Sequence, residues 1–251
     1  MQRIAIGSGR PIGTSPKNGC GMATLYHHPF CPHSRFIRLA LAEMGLEPQL
    51  VEEKAWERRR EFLMMAAEGA TPVLVQPQGA VLSGADLIAE YLDETLGPKL
   101  GDRRLYPEGS SGRAEARRLM FWFNAKFFNE SSQWLVREKI HKRFMRPEEG
   151  GGAPDMHAVR AARSNLRYHL RYIGHLIGAR KWLAGDRLSY ADLAAAAHLS
   201  CLDYLGDVQW DESETAKVWY ARLKSRPSFR QLLSERLPGT APSATYADLD
   251  F

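Results

Sequence analysis

Apolar positions follow two different spacings along this chain, and the change falls before its middle. Between residues 24 and 96, short strand-like runs alternate with runs of helical period. "TLYH" predicts a first strand, and "CPHSRFIRLALAEMG" a helix with Phe36, Leu39, Ala40 and Leu41 on or beside one face and Gly45 as its stop. "PQLVEE" predicts a second strand and "AWERRREFLMMA" a short helix. "TPVLVQPQGAVLS" predicts a hairpin turning at residues 77–79, and "ADLIAEYLDETLG" a helix ending at Gly97. The order is βαβ, a short helix, then ββα, which specifies one mixed sheet with helices laid on it.

Turn residues without period make 99–112 a linker, and beyond it strand signals stop. Two long helical segments, 113–145 and 155–177, flank the breaker "RPEEGGGAPD". "SYADLAAAAHLSCLDYLG" and "SETAKVWYARLKSRPSFRQLLSERL" follow, so 113–237 is expected to be a bundle of about five helices. Residues 1–21 are rich in Gly, Pro and Ser and are expected to be a disordered extension. Residues 238–251 carry no period and are expected to be a flexible tail. In its end, Tyr246, Leu249 and Phe251 alternate with Asp248 and Asp250, a composition that suits a docking motif for a second partner.

Composition narrows the class. The 251 residues, 44% of them hydrophobic, suffice for two modest domains: a 22–98 α/β unit and the helical unit. Three cysteines without paired spacing point to a reducing compartment. No run is apolar enough to cross a membrane, so the expected location is cytoplasmic. The net charge of +5 matters because it clusters: Arg160, Arg163, Arg167 and Arg171 recur at helical spacing, and "WERRREFL" sets three arginines beside Trp56. Each arginine alone suits a solvated face; the whole stripe beside a tryptophan suits a protein-binding surface. No nucleic-acid motif accompanies the charge. The histidines lack ligand spacing, so no metal site is expected.

Thr71–Pro72 opens a strand. It reads either as a strand-starting proline or as a cis bond beside the Cys31–Pro32 pair. Ser189, Tyr190, Ala191 and Asp192 form an S-x-x-D capping box before an alanine-rich helix. With Gly185 and Asp186 this stretch closely resembles the folding signature of glutathione S-transferases, and the likeness covers residues 23–237. It implies a thioredoxin-like N-terminal domain followed by an all-helical C-terminal domain. In that family the γ-glutamyl end of glutathione is held by a Glu-Ser pair within E-S-x-A-I-x-x-Y-L. Here "GADLIAEYL" matches at Ile88, Tyr91 and Leu92, but puts Gly84 and Ala85 at the pair.

Cys31 stands where cysteine-type transferases carry their thiol, with a helix N-terminus to lower its pKa. A degenerate site of Cys31, Thr71, Pro72, Gly84 and Ala85 with a relic thiol is therefore expected, with no cofactor. The alternative is a cysteine-type glutathione transferase or thiol transferase using Cys31 and glutathione. "LYHHPFCPHSRFIRLALAEMGLEP", "WERRREFL", the missing pair and the terminal "YADLDF" together resemble the FtsZ-binding, transferase-like division adaptors. That likeness implies a homodimer at the division site. It would bind FtsZ filaments without catalysing a reaction, bend and bundle them, and link them to septal wall synthesis. The implied filament site is a cleft around Trp56, Glu138, Met156 and Arg160, extended by Arg163 and Arg167.

Overall fold

A computed structural model describes residues 22–249 of the chain. Strand β1 (Thr24–His27) lies parallel to β2 (Gln49–Glu52) and antiparallel to β3 (Val73–Val75), which pairs with β4 (Val81–Ser83). The strand order is β2-β1-β3-β4, and Leu25 stands opposite both Leu50 and Leu74. Two parallel neighbours need a crossover. Helix α1 (Pro32–Met44) supplies it, opened by a proline in its first turn and closed by Gly45 in the left-handed region at φ 75°. Helix α1 is buried on almost every side, between α3 (Ala85–Leu100) and α7 (Tyr190–Tyr204), so it forms the joint between the two halves.

The run read as one short helix divides in two. A 3₁₀ turn, Ala55–Glu57, precedes Arg58 at φ 49°, and α2 (Arg60–Met65) begins after it. Arg59 is bonded to the buried carboxylate of Glu53 at 2.5 Å, which ties this corner to the end of β2. Helix α3 also differs, running one turn past Gly97 and taking in Pro98. Gly97 is there for a close approach: a Cβ would sit 2.8 Å from Asp93 Oδ1 and 2.9 Å from Arg104 Nε, which are ion-paired across it.

The first long helical segment is three pieces: α4 (Ser110–Phe121), a π-helical stretch (Trp122–Ser132) and α5 (Gln133–Lys139). It stops short of residue 145 because a 3₁₀ turn, His141–Arg143, packs the His141 ring against Trp56. Helix α6 (Met156–Ala179) is capped by Asp155, whose carboxylate accepts from His157 N–H at 2.8 Å. Helix α7 is buried along its whole length, as its alanines require. Helices α8 (Glu214–Lys224) and α9 (Arg230–Ser234) close the bundle. Among the described residues no helix is long and apolar enough to cross a membrane.

The expected flexible tail is part of the body as far as Tyr246. Tyr204 accepts from Leu237 N–H at 2.8 Å and donates to Thr240 O at 2.7 Å, and its own carbonyl accepts from Ser243 N–H at 2.9 Å. Tyr246 is fully buried, donating to Leu232 O at 2.6 Å. The segment lacks a period because its polar groups are satisfied one by one against α7 rather than within an element. Asp250, Phe251 and residues 1–21 lie outside the described residues.

Candidate functional site

A cleft of about 690 Å³ opens between the halves, and the end of β1 and the start of α1 form its floor. Cys31 is the N-cap of α1, extended at φ −85° and ψ 117°, so its thiol stands at the positive end of the helix dipole. The thiol lies 3.5 Å from Thr71 O, and the Thr71–Pro72 bond is cis. Burial pushes the Cys31 thiol up, but hydrogen bonding to His33, the charge of that ring and hydrogen bonds from Ser34 and Thr71 bring it down to about 7. Burial also opposes charge on His33, whose pKa nonetheless rises through Cys31, the Asn124 carbonyl and Asp86. His33 Nε2 lies 2.9 Å from Asn124 O, on the π-helical stretch.

Three rings from distant parts of the chain form one wall of the cleft. His28 and Trp56 are 5.2 Å apart, His28 and His141 5.0 Å, and Trp56 and His141 4.9 Å, centre to centre. Burial holds both histidines neutral. His28 falls to about 3, helped by the charges of His141, His27, Arg35 and Lys54, and His141 to about 4, helped by Arg137. His28 Nδ1 accepts from Phe30 N–H at 3.2 Å. Among the described residues no group of His, Cys, Asp and Glu could hold a metal ion.

At the N-terminus of α3, Gly84 is the N-cap at φ 92° and Ala85 is buried, so neither offers a polar side chain. Asp86, the next residue, is already committed: Asn124 Nδ2 donates to its carboxylate at 2.5 Å. Gly84 and Ala85 therefore give the γ-glutamyl end of glutathione no charge-assisted side-chain contact at this helix start.

The proposed filament residues do not share one cleft. Trp56 lines it. Glu138 is only 3% exposed and is a brace: its carboxylate accepts from Lys142 Nζ at 2.5 Å and from Asp155 N–H at 2.7 Å, joining α5 to the start of α6. Met156 and Arg160 are exposed on the first turns of α6, reached from Trp56 by way of His141, Lys142 and Glu138. The arginine stripe is largely neutralised. Arg163 donates to buried Asp207 at 2.7 Å, and Arg167 and Arg171 pair with Glu212 at 3.0 and 3.1 Å. Only Arg160 of the four has no ion pair among the described residues. Tyr246 is core, so the docking motif loses one of its two aromatic residues, while Leu249 is 41% exposed and Asp248 lies in the field of Lys224.

His28, His141 and Asn124 were not singled out from sequence. They come from three separate parts of the chain, and no spacing signals that His28 and His141 line one cleft or that Asn124 holds His33 behind it.

Comparison with known proteins agrees with the fold. The glutathione S-transferase N-terminal domain matches residues 30–95 and the C-terminal domain residues 125–236. Over 233 residues the chain is 46% identical to FtsZ-localized protein A of Caulobacter vibrioides, covering 91% of this chain and 98% of that protein. A crystal structure of a glutathione S-transferase from Sinorhizobium meliloti 1021 shares 54% identity at a TM-score of 0.90, over 92% of this chain and all of that one (100%). FzlA from C. crescentus shares 45% at a TM-score of 0.85, with the same coverage of 92% and 100%.

Proposed function

The chain belongs to the glutathione S-transferase family, and from that premise we propose that it is a non-enzymatic adaptor that binds FtsZ filaments at the division site. It bends and bundles the filaments and links them to septal wall synthesis. The observation that carries this reading is the 46% identity, over 98% of its length, to a relative named for its association with FtsZ. The α3 N-terminus supports it. Gly84 and Ala85 deny a bound glutathione two charge-assisted contacts, a loss on the order of 3–6 kcal/mol, enough to weaken micromolar binding to millimolar. The filament meets the surface that runs from Trp56 across His141 to Met156 and Arg160. Glu138 supports that surface from beneath, and the paired Arg163 and Arg167 lie outside it. In this reading the working form is a homodimer, and Val81, Leu87 and Phe121 are exposed apolar side chains available to a second copy.

Co-sedimentation with GTP-assembled FtsZ tests the reading. The wild-type chain pellets with filaments, and Trp56→Ala and Arg160→Glu weaken pelleting about tenfold or more without lowering the melting temperature. Wild-type binding in both variants would place the interface elsewhere. One observation favours a second reading, a cysteine-type thiol transferase: the Cys31 thiol is held at about 7. Saturable glutathione binding at micromolar concentration, with turnover lost in Cys31→Ala, would establish that reading in place of the first.

A further inference from the structure

We propose that Arg58, together with Arg137 from the same cleft, is a partner-contact residue that receives an acidic side chain of a protein partner. That the partner is a filament rests on the function proposed above; the recognition of a carboxylate at this place does not.

The backbone of Arg58 is unusual for its residue type. Its φ of 49° makes it the only non-glycine in the left-handed region among the described residues. There a Cβ crowds the following carbonyl, which is why such positions usually hold glycine or asparagine. Arg58 closes the 3₁₀ turn Ala55–Glu57, and its N–H donates to Ala55 O at 3.3 Å. Both of its flanks are fixed. Trp56 packs on the rings of His28 and His141, and Arg59 is bonded to buried Glu53. The chain must reverse between these two anchors, and the left-handed residue makes the reversal. Glycine would make it with less strain.

Nothing within the described fold offsets that strain. The Arg58 side chain is exposed and has no hydrogen bond or ion pair among the described residues. Its guanidinium lies over Gly69, with Nη1 3.9 Å from where a Cβ on that glycine would stand, and both residues line the cleft. Strained residues held by a rigid frame cluster where a protein meets its ligands. Here the frame delivers an unpaired charge to the cleft beside Trp56.

The rest of the lining selects an anion. Arg137 is exposed and has no ion pair among the described residues, and its charge bears on the ring of His141. His141 Nε2 is buried without a partner, so the wall holds a polar atom that an incoming oxygen would satisfy. The acids of the lining, Glu148 and Glu149, are both held by Arg146, at 3.6 and 2.8 Å. Three arginines thus face two carboxylates, and the excess charge is positive. Trp56 and Phe128 give it aromatic walls, a setting for an acidic side chain with apolar neighbours. A nucleic-acid backbone needs a continuous basic track. The arginines of α6 that would extend one are committed to Asp207 and Glu212.

The test sets co-sedimentation with GTP-assembled FtsZ beside thermal melting, on the full chain. Arg58→Ala keeps the left-handed backbone and removes the guanidinium, so pelleting affinity falls about tenfold with the melting temperature unchanged. Arg58→Gly loses the same affinity yet melts about 2 °C higher, because the strain is relieved. Arg58→Lys keeps the charge without the planar fork and recovers part of the loss. Arg137→Ala weakens pelleting to a similar degree. Arg103 is an exposed arginine outside the cleft with no ion pair among the described residues. Arg103→Ala makes the same change in net charge and pellets within about twofold of wild type. Wild-type pelleting in Arg58→Ala, or an equal loss in Arg103→Ala, overturns the contact. A melting temperature that does not rise in Arg58→Gly overturns the strain that singles this residue out. The carboxylate is read separately with an immobilised glutamate–tyrosine random copolymer, and with short duplex DNA as the rival anion. Wild type holds the copolymer about tenfold better than Arg58→Ala does. A wild-type chain that fails to pellet sinks the filament reading, while the copolymer ratio still decides the contact. An equal hold on the copolymer by both proteins, or DNA bound with the same dependence on Arg58, overturns the assignment to an acidic protein.

Discussion

Tyr246 illustrates how a residue can be misjudged from its neighbours in sequence. Flanked by Thr, Ala and Asp, it reads as solvent-facing. In the fold its ring lies 5.0 Å from that of Tyr204, and the Arg35 guanidinium sits 6.0 Å from its centre. Tyr246→Phe removes one hydrogen bond, worth about 1 kcal/mol, and Tyr246→Ala opens a cavity worth about 3–5 kcal/mol. Thermal melting should therefore rank wild type above Tyr246→Phe and that above Tyr246→Ala, and deletion from residue 246 onward should lower the melting temperature. A deletion that melts like the full chain would show that the segment is dispensable to the fold. Arg163 carries a similar lesson. Its helical spacing to Arg160 and Arg167 is real, but its charge is committed to Asp207, 44 residues further on.

Among the elements, α7 shows most directly how local sequence sets structure. Ser189 N–H and Oγ donate to Asp192 Oδ2 at 3.0 and 2.8 Å, while Asp192 Oδ1 accepts from Leu183 N–H at 2.9 Å and Trp219 Nε1 at 3.0 Å. The capping box thus starts the helix and also ties the preceding loop and α8 to it. Ser189→Ala should cost about 1 kcal/mol, as a lost cap does. Asp192→Ala strands four donors and should cost roughly 3–5 kcal/mol. Urea midpoints give the comparison, and equal costs for the two changes would mean that the links to Leu183 and Trp219 carry no weight. Helix α1 shows the opposite case. Its ends were legible from Pro32 and Gly45, but its burial on nearly all sides follows from the packing of α7 across it.

The whole molecule is fastened across its halves by buried polar groups. Arg35 donates to Pro29 O at 2.7 Å, to Ser200 Oγ at 2.9 Å and to Glu235 at 3.1 Å, and Glu43 holds Arg226 at 2.7 Å. The buried histidines make this assembly acid-sensitive. Burial depresses His27, His141 and His169 to about 4 and His28 to about 3, against an ordinary value of about 6.5. Below 6.5 the unfolded chain binds protons that the folded one refuses. Their contribution is thus complete above about 6.5 and is lost as pH falls toward 4. The melting temperature should level off above pH 7 and fall steadily between about 6.5 and 4; a flat profile between pH 7 and 5 would contradict the burial of these rings.

Short-range chemistry was readable along the chain. The strand and helix periods, the Gly45 stop, the Ser189 cap and the absence of polar side chains at Gly84 and Ala85 each depend on residues a few positions apart. Those features carried the two-part fold and the apolar start of α3. What only the tertiary structure decided depends on partners tens of residues away: the neutralisation of the arginine stripe, the burial of Tyr246, and the meeting of His28, Trp56 and His141 at one wall. A charge or an aromatic ring looks the same in sequence whether water or a distant side chain satisfies it. Desolvation and pairing exist only once the chain has folded, and they determine which of those groups remain available to a partner.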